Sequence, residues 1–491
     1  MLLTNLKEEL SQTSDGVVVT EFEVFRILTH LKSSKASLSN AIPNKLLINL
    51  ADVLAAPITS LINSSIRSGC VPSQWKESRV TLVPKTKYVT KLENEIRPIS
   101  ITCPIASIAE RIISQSFDDH FLSHQDPNQF GVTKGKSAVL ALVKLSHLLF
   151  TASDNCSNFI RILFVDFTKA FDLIDHTVLL KKFTDNDFPL WLKIWSLDFL
   201  NDRSQFVKLG DSTSTSRVIN AGAPQGTRAG GNDFKLLIND LTCGACCIKY
   251  VDDVTIVAVS DDPMSNHLQS AVSQLNDWCQ LNKLNLNVQK TKEMIFYFGK
   301  RFDITKIPIL NCSDMSFDRV DEFKLLGVVF RSDLNWSSHV KYILTKASRR
   351  IFVISMLLRS GMSVRDVLTV YTSIIRSILE YASPVWHCGL TQTQSAEIEK
   401  IQRRCLKIIF PSLSYKEAIS LSKLERLSDR REKAAHALFD QIKQPSHILN
   451  NLLTVKVIRR DTRDTYPFVI PCPKTNRLYK SLIAYGLSRR W

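Results

Sequence analysis

No stretch of the chain approaches the roughly 18 consecutive apolar residues that a membrane span needs. The opening segment, MLLTNLKEEL, places Lys7, Glu8 and Glu9 where a secretory signal would carry its apolar core. A membrane-embedded or exported protein is therefore not expected; an intracellular one, in nucleus or cytoplasm, is. The 11 cysteines follow no regular framework, and a chain of this length does not need disulfide staples, so reduced thiols that mostly fill core are expected. Cys243-Gly244-Ala245-Cys246-Cys247 contains a Cys-x-x-Cys step, but no second Cys or His pair at zinc-ligand spacing accompanies it, and Cys472 stands alone beyond Cys405. A zinc site is not predicted. Internal repeats, heptad runs and low-complexity tracts are missing as well, which excludes solenoids and long coiled coils.

What is present is a chain of 491 residues with 44% hydrophobic composition, enough to bury a sizeable core in about two to four subdomains. The formal charge is +16, and its location matters more than its size. Residues 1–330 carry 35 Lys+Arg and 35 Asp+Glu, whereas residues 331–491 carry 28 and 12. A polyanion is the natural partner of such a basic third, because Lys and Arg that neutralise phosphates release counterions.

Two segments far apart in sequence carry the chemistry. In Ile160 to Asp172, IRILFVDFTKAFD, a short β-favouring apolar run ends at Asp166 and gives way to helical spacing, which places Asp166 at the end of a buried strand. In Ile248 to Val259, IKYVDDVTIVAV, two β-rich runs flank Asp252 and Asp253, the pattern of a hairpin with the acids at its turn. An Asp-Asp pair alone is the ordinary occupant of a solvated turn. A strand-end acid and a hairpin-tip acid that converge are different: two unit charges 4 Å apart repel by about 4 kcal/mol at an effective dielectric of 20, so the cluster is costly unless cations occupy it. Divalent ions held by a few carboxylates and by substrate phosphates repay that cost, and a pair of them serves in-line phosphoryl displacement.

Around these acids the sequence resembles the reverse transcriptases of non-LTR (LINE-type, jockey-like) retrotransposons. Asp166-Phe167-Thr168-Lys169-Ala170-Phe171-Asp172 resembles the first palm motif, Tyr250-Val251-Asp252-Asp253 the aromatic-x-Asp-Asp motif, and Gly222-Ala223-Pro224-Gln225-Gly226-Thr227 the Pro-Gln-Gly segment between them. Upstream, Ala41-Ile42-Pro43-Asn44-Lys45 resembles the extension before the fingers; Arg97-Pro98-Ile99-Ser100 and Gln129-Phe130-Gly131 resemble fingers motifs. Downstream, Leu286-Asn287-Val288-Gln289-Lys290-Thr291-Lys292 resembles the motif after the catalytic hairpin, Leu325-Leu326-Gly327-Val328 the primer-grip hairpin, and Leu379 to Trp386 with Arg403-Arg404 the thumb.

The resemblance implies an α/β (α+β) right-hand polymerase fold with fingers, an antiparallel-sheet palm and a helical thumb. It implies an RNA-directed DNA polymerase that extends a DNA primer along an RNA template with deoxynucleoside triphosphates and two Mg2+ ions, for which Mn2+ substitutes. Asp166 and Asp252 are then the main metal ligands and Asp253 a supporting acid. Phe171 is the gate against a ribonucleotide 2′-OH; Phe167, Gln225 and Gly226 belong to the nucleotide site; Arg97 holds the triphosphate; and Lys290 is the general acid for departing pyrophosphate. The implied divisions are 1–75 as a helical extension, 76–155 as fingers, 156–300 as palm, 301–420 as primer-grip hairpin and basic thumb, and 421–491 as a basic C-terminal region. Asp461 to Trp491 has no clear place among them.

One motif departs from the pattern. After Gln225 the chain reads Gly226-Thr227-Arg228-Ala229-Gly230-Gly231, with Gly231 where the family has a proline that would pre-set the helix turn, so a looser turn is expected; the pattern resumes at Leu236-Leu237-Ile238-Asn239-Asp240-Leu241, and the helix itself is expected to survive. No endonuclease segment is recognisable, and a fragment of a larger reading frame is expected. The competing functions are a folded nucleic-acid-binding remnant with weak or no catalysis, and an unrelated two-metal nuclease.

Overall fold

Phe159–Val165 is buried at every position, as a strand of Phe, Ile, Leu and Val must be when both its faces are covered. The computed structural model, which describes residues 6–10, 17–34, 36, 38, 41–86, 88–91, 95–156, 158–300, 302–312, 315–456 and 466–491, places this strand at the centre of a five-stranded sheet. Lys292–Phe296 and Asp253–Ser260 flank it, with Asp318–Arg319 and Cys246–Tyr250 at the edges. Neighbours pair antiparallel, apart from the parallel edge strand Asp318–Arg319. The antiparallel palm expected from the sequence is thus present, and Asp166 follows its central strand directly.

The central strand carries one charge. Arg161 donates from Nε to Glu293 at 2.8 Å and lies 2.6 Å from it through Nη2, while Arg319 reaches the same carboxylate at 3.1 Å. Glu293 has no exposed surface, so its desolvation is offset by Arg161 and Arg319, while Arg161 also donates to the Pro308 carbonyl at 2.9 Å.

A second sheet joins Ile96–Ile101 to Glu77–Pro84 antiparallel and Glu77–Pro84 to Arg203–Leu209 in parallel. The fingers strands are therefore completed by a strand from within the 156–300 segment, a long-range pairing that local periodicity does not encode. Ahead of them, Glu21–Thr29 and Ala51–Ser68 are helices, in line with the helical reading of residues 1–75.

Two hydrophobic cores divide the chain. One joins the N-terminal helices to the front of the palm. The other joins the back of the palm, the helix Ala138–Asp154 and the C-terminal helices. Ala138–Asp154, expected with the fingers, thus packs against the C-terminal part. His147 Nδ1 lies 2.7 Å from Ser481 Oγ, and Asp154 accepts the Lys474 and Thr475 amides at 2.9 and 2.8 Å. Residues 466–491 are thereby fastened to the palm's rear helix; Asp461 lies outside the described residues, as do Ser313 and Asp314.

Glu322–Leu325 and Val328–Arg331 form the expected hairpin. Its turn residues Leu326 and Gly327 have φ of 44° and 87°, which fits a tight primed turn. Tyr381 closes over it: its hydroxyl donates to the Leu326 carbonyl at 2.9 Å, and a Cβ on Gly327 would meet its ring at 2.9 Å. Beyond lie the helices expected from Ser337 onward, including Ser337–Ser348 and Gln392–Ile409. No helix among the described residues is long and apolar enough to cross a membrane.

Removing Glu293 leaves Arg161 buried without its carboxylate. Glu293→Ala is expected to lower unfolding free energy by about 3–5 kcal/mol in a denaturant titration; a loss below about 1 kcal/mol would show that the pair does not hold the sheet.

Candidate active site

Asp166 is set by the strand that precedes it and by a brace from residues 285–291. Its amide donates to Thr291 Oγ1 at 3.1 Å, its carbonyl accepts the Asn287 amide at 2.8 Å, and the Thr168 amide donates to Asn285 O at 2.8 Å. Thr291 is wholly buried, so the Leu286 to Lys292 motif positions Asp166 from below.

Asp252 and Asp253 stand where the sequence put them. Tyr250 pairs with Asp253 across a turn of Val251 and Asp252. Val251 adopts φ of 58°, a region that a β-branched residue enters only when its surroundings compel it. The compelling contacts come from Gln129-Phe130-Gly131. Gln129 Oε1 accepts the Gly131 amide at 2.8 Å and the Val251 amide at 3.3 Å, and Phe130 N donates to Lys249 O at 2.8 Å. Gly131 admits no side chain, since a Cβ there would lie 2.4 Å from Val251 N. This motif, placed with the fingers from the sequence, thus clamps the hairpin that bears Asp252 and Asp253.

The register Val165↔Val254 sets Asp166 beside Asp253 across the sheet. Asp166 and Asp252 line one cavity of about 530 Å³, together with Arg97, Phe167, Phe171, Gln225 and Lys290. Lys290 Nζ lies 4.0 Å from Asp166 Oδ2. Phe171 is half-buried and stacks on Phe234 at 5.0 Å. Phe167 is almost wholly buried, its ring 6.4 Å from that of Trp278, so little more than its edge and backbone reach the cavity.

Gly226 is not among the residues lining this cavity; it lines the neighbouring one, of about 290 Å³, with Ile99, Ser100 and Glu110, and its φ of 100° turns the chain after Gln225. One expectation needs correction: the looser turn around Gly231 is not found. The helix, expected to survive, runs from Arg228 through both glycines to Leu237 under a Thr227 cap that accepts the Gly230 amide at 3.1 Å. Gly230 is required there, because a Cβ would lie 2.5 Å from the Pro224 carbonyl.

Sequence reasoning missed Lys85, Lys169, Asp172 and Asn287, all of which line the cavity. Lys85 follows the strand Glu77–Pro84, and the pairing Val83↔Arg97 brings it near Arg97. The signal was available as the Pro84-Lys85-Thr86 step at a strand end, but only pairing with Ile96–Ile101 directs it inward.

The electrostatics follow from this crowding. Asp252 and Asp253 are reached by solvent, yet concave walls withdraw them from bulk water. That withdrawal first, and then the charge of Asp166, raises the Asp252 pKa against the lowering effects of Arg97 and Lys85. Asp253 is pushed up to about 6 by the same withdrawal, then by Asp252 and Asp166. Asp172 is raised by burial, opposed by Lys169 and Lys85. Asp253 is not part of the cavity lining, and among the described residues no three His, Cys, Asp or Glu side chains form a metal-enclosing group. Two carboxylates facing a partly basic cavity are nonetheless a donor set suited to magnesium, which takes one or two protein carboxylates and completes its shell with water and substrate phosphates.

A family described as reverse transcriptase (RNA-dependent DNA polymerase) has a sequence model that matches residues 83–330, a span holding every candidate residue above. The chain belongs to the reverse transcriptase family. Its fold is accordingly the right-hand polymerase fold, and members of this family generally use divalent metal ions. The probable RNA-directed DNA polymerase from transposon BS of Drosophila melanogaster is 24% identical over 468 residues, covering 90% of this chain and 51% of the relative. The polymerases of the same organism's X-element and mobile element jockey are 24% and 22% identical, covering 79% and 91% of this chain and 43% and 50% of theirs. The chain thus spans about half the length of the curated relatives it matches. The motif resemblance to non-LTR reverse transcriptases is borne out by these matches.

An acid whose folded pKa is raised favours folding at low pH, and that contribution is lost as pH rises from 3.8 through about 6. A cation bound by the ionised acids offsets the loss and displaces the proton. Magnesium is therefore expected to raise the melting temperature more at about pH 7.5 than at about pH 5; an equal effect at both, followed by scanning fluorimetry, would separate metal binding from these acids.

Proposed function

We propose that this protein is an RNA-directed DNA polymerase that extends a DNA primer along an RNA template from deoxynucleoside triphosphates. The observation that carries the reading is the convergence of Asp166 and Asp252, from segments far apart in the chain, on one cavity whose other walls bear Lys85, Arg97 and Lys290. Acids able to take divalent cations, beside Lys and Arg side chains, suit a triphosphate whose negative charge must be neutralised by metal ions and by protein cations together.

Asp166 and Asp252 would hold two Mg2+ ions, or Mn2+ in their place, with Asp253 supporting; such ions would supply charge stabilisation to the phosphoryl displacement. The protein's own groups do the rest. Arg97 and Lys85 bind the triphosphate oxygens, and Lys290, close to Asp166 and open to solvent, donates a proton to the departing pyrophosphate. Phe171, backed by Phe234, is a rigid wall that a ribonucleotide 2′-OH would strike. Gln225 contacts the incoming nucleotide, while Phe167 shapes the floor from within the core and Gly226 acts through the turn it permits.

The basic C-terminal third supplies the grip. A groove of about 900 Å³ is lined by Arg331, Lys341, Lys346, Arg349 and Arg350 around Tyr342. Cations spaced along the helix Ser337–Ser348 and just beyond it suit a phosphate backbone held by shape rather than by sequence, as an RNA–DNA hybrid is. On this reading 1–75 extends the fingers of 76–155, 156–300 is the palm, 301–420 holds the primer grip and thumb, and 421–491 docks behind. The site of action is intracellular, in nucleus or cytoplasm.

Purified protein with RNA template, DNA primer, deoxynucleotides and magnesium is expected to yield extended DNA. Asp252→Asn should reduce extension by at least about 10³-fold, the scale on which removal of an electrostatic stabiliser acts, and leave template–primer affinity unchanged. Extension that persists in the variant contradicts the assignment of Asp252.

A further inference from the structure

We infer that Glu110 is a positioning residue for the Pro224-Gln225-Gly226 loop, acting through the start of the helix Arg228–Leu237; this rests on the polymerase reading above. Glu110 lies in the helix Pro104–Phe121 and is 2% exposed. It does not line the cavity of the aspartates. Its Oε2 accepts the Arg228 amide at 3.1 Å and the Ala229 amide at 3.3 Å, and Thr102 Oγ1 lies 3.4 Å from its Oε1.

These amides belong to the first turn of a helix, where donors have no partner within the helix and a negative charge is favoured by the aligned backbone dipoles. The turn needs such help. Its sequence, Arg228-Ala229-Gly230-Gly231, has two glycines that weaken a helix and no acidic residue of its own. Glu110 brings the missing charge from another helix, and Arg203 and Asp233, both buried, stand within its electrostatic reach.

From the helix start the constraint passes directly to the loop. Thr227 Oγ1 donates to the Pro224 carbonyl at 2.9 Å while accepting the Gly230 amide, and the Gly230 backbone sits too close to Pro224 for any side chain. On the other side the Ser100 amide donates to the Gln225 carbonyl at 2.8 Å. Gln225 therefore has its backbone fixed between the fingers strand and a helix turn that Glu110 anchors. Displacing the turn moves Gln225 relative to Asp166 and Asp252 without touching either acid.

The test compares Glu110→Gln and Glu110→Asp with the wild type by steady-state primer extension, template–primer binding, and hydrogen exchange of peptides covering 225–231. Glu110→Gln removes the charge and is expected to raise KM for deoxynucleotide about fivefold, the effect of losing a helix cap, with template–primer affinity unchanged and faster exchange at 225–231. Glu110→Asp keeps the charge and should fall between the two. Unchanged KM and unchanged exchange overturn the inference, as does a uniform loss of template–primer binding and global protection, which would mark Glu110 as general core. If the wild type fails to extend a primer, the polymerase reading falls, while the exchange comparison still decides whether Glu110 holds the loop.

Discussion

Carboxylates that repel one another must share a cavity before any cation arrives, and the sheet supplies the force that keeps them there. Asp166 cannot retreat, because a fully buried strand ends at it and Thr291 and Asn287 hold its backbone. The hairpin bearing Asp252 and Asp253 is bent at Val251 into a conformation it would not choose, under the grip of Gln129 and Gly131. The energy comes from burial in the two cores on either face of the sheet; withdrawal of the hairpin acids from water first, and their repulsion after it, raises their pKa. On the polymerase reading proposed above, anions crowded in this way would be neutralised by divalent ions.

Much of the site was legible in the sequence because it depends on local pattern. The switch from β-favouring run to helical spacing located Asp166 at a strand end, and two β-rich runs around paired acids gave the hairpin. What could not be read depends on pairing across distance. Lys85 faces the cavity because Glu77–Pro84 pairs with Ile96–Ile101, and Gln129-Phe130-Gly131 serves the palm because it lies beside Lys249. Neither partner can be inferred from periodicity, which reports only which face of an element is apolar. The looser turn expected at Gly231 is absent for the same reason: the missing proline is local, whereas the carboxylate of Glu110, which accepts the Arg228 amide, comes from more than a hundred residues upstream.

The charge distribution needs a similar division. The basic excess beyond residue 330 suggested a grip on a polyanion, and Lys341, Lys346, Arg349 and Arg350 do line an open groove. Other members of that excess are used internally. Arg376 and Arg430 share Glu380, Arg403 covers the Tyr415 ring, and Arg431 is buried against Trp386. Net charge therefore overstates the number of cations available to nucleic acid.

The account turns on Asp166 and Asp252 forming one cation site. Titration of manganese into the wild type, Asp166→Asn and Asp252→Asn, each with template–primer and deoxynucleotide bound and followed by electron paramagnetic resonance, examines this without relying on turnover. The account predicts that either substitution alone removes tight manganese binding. Tight binding that survives in either variant would mean that the two acids do not share an ion.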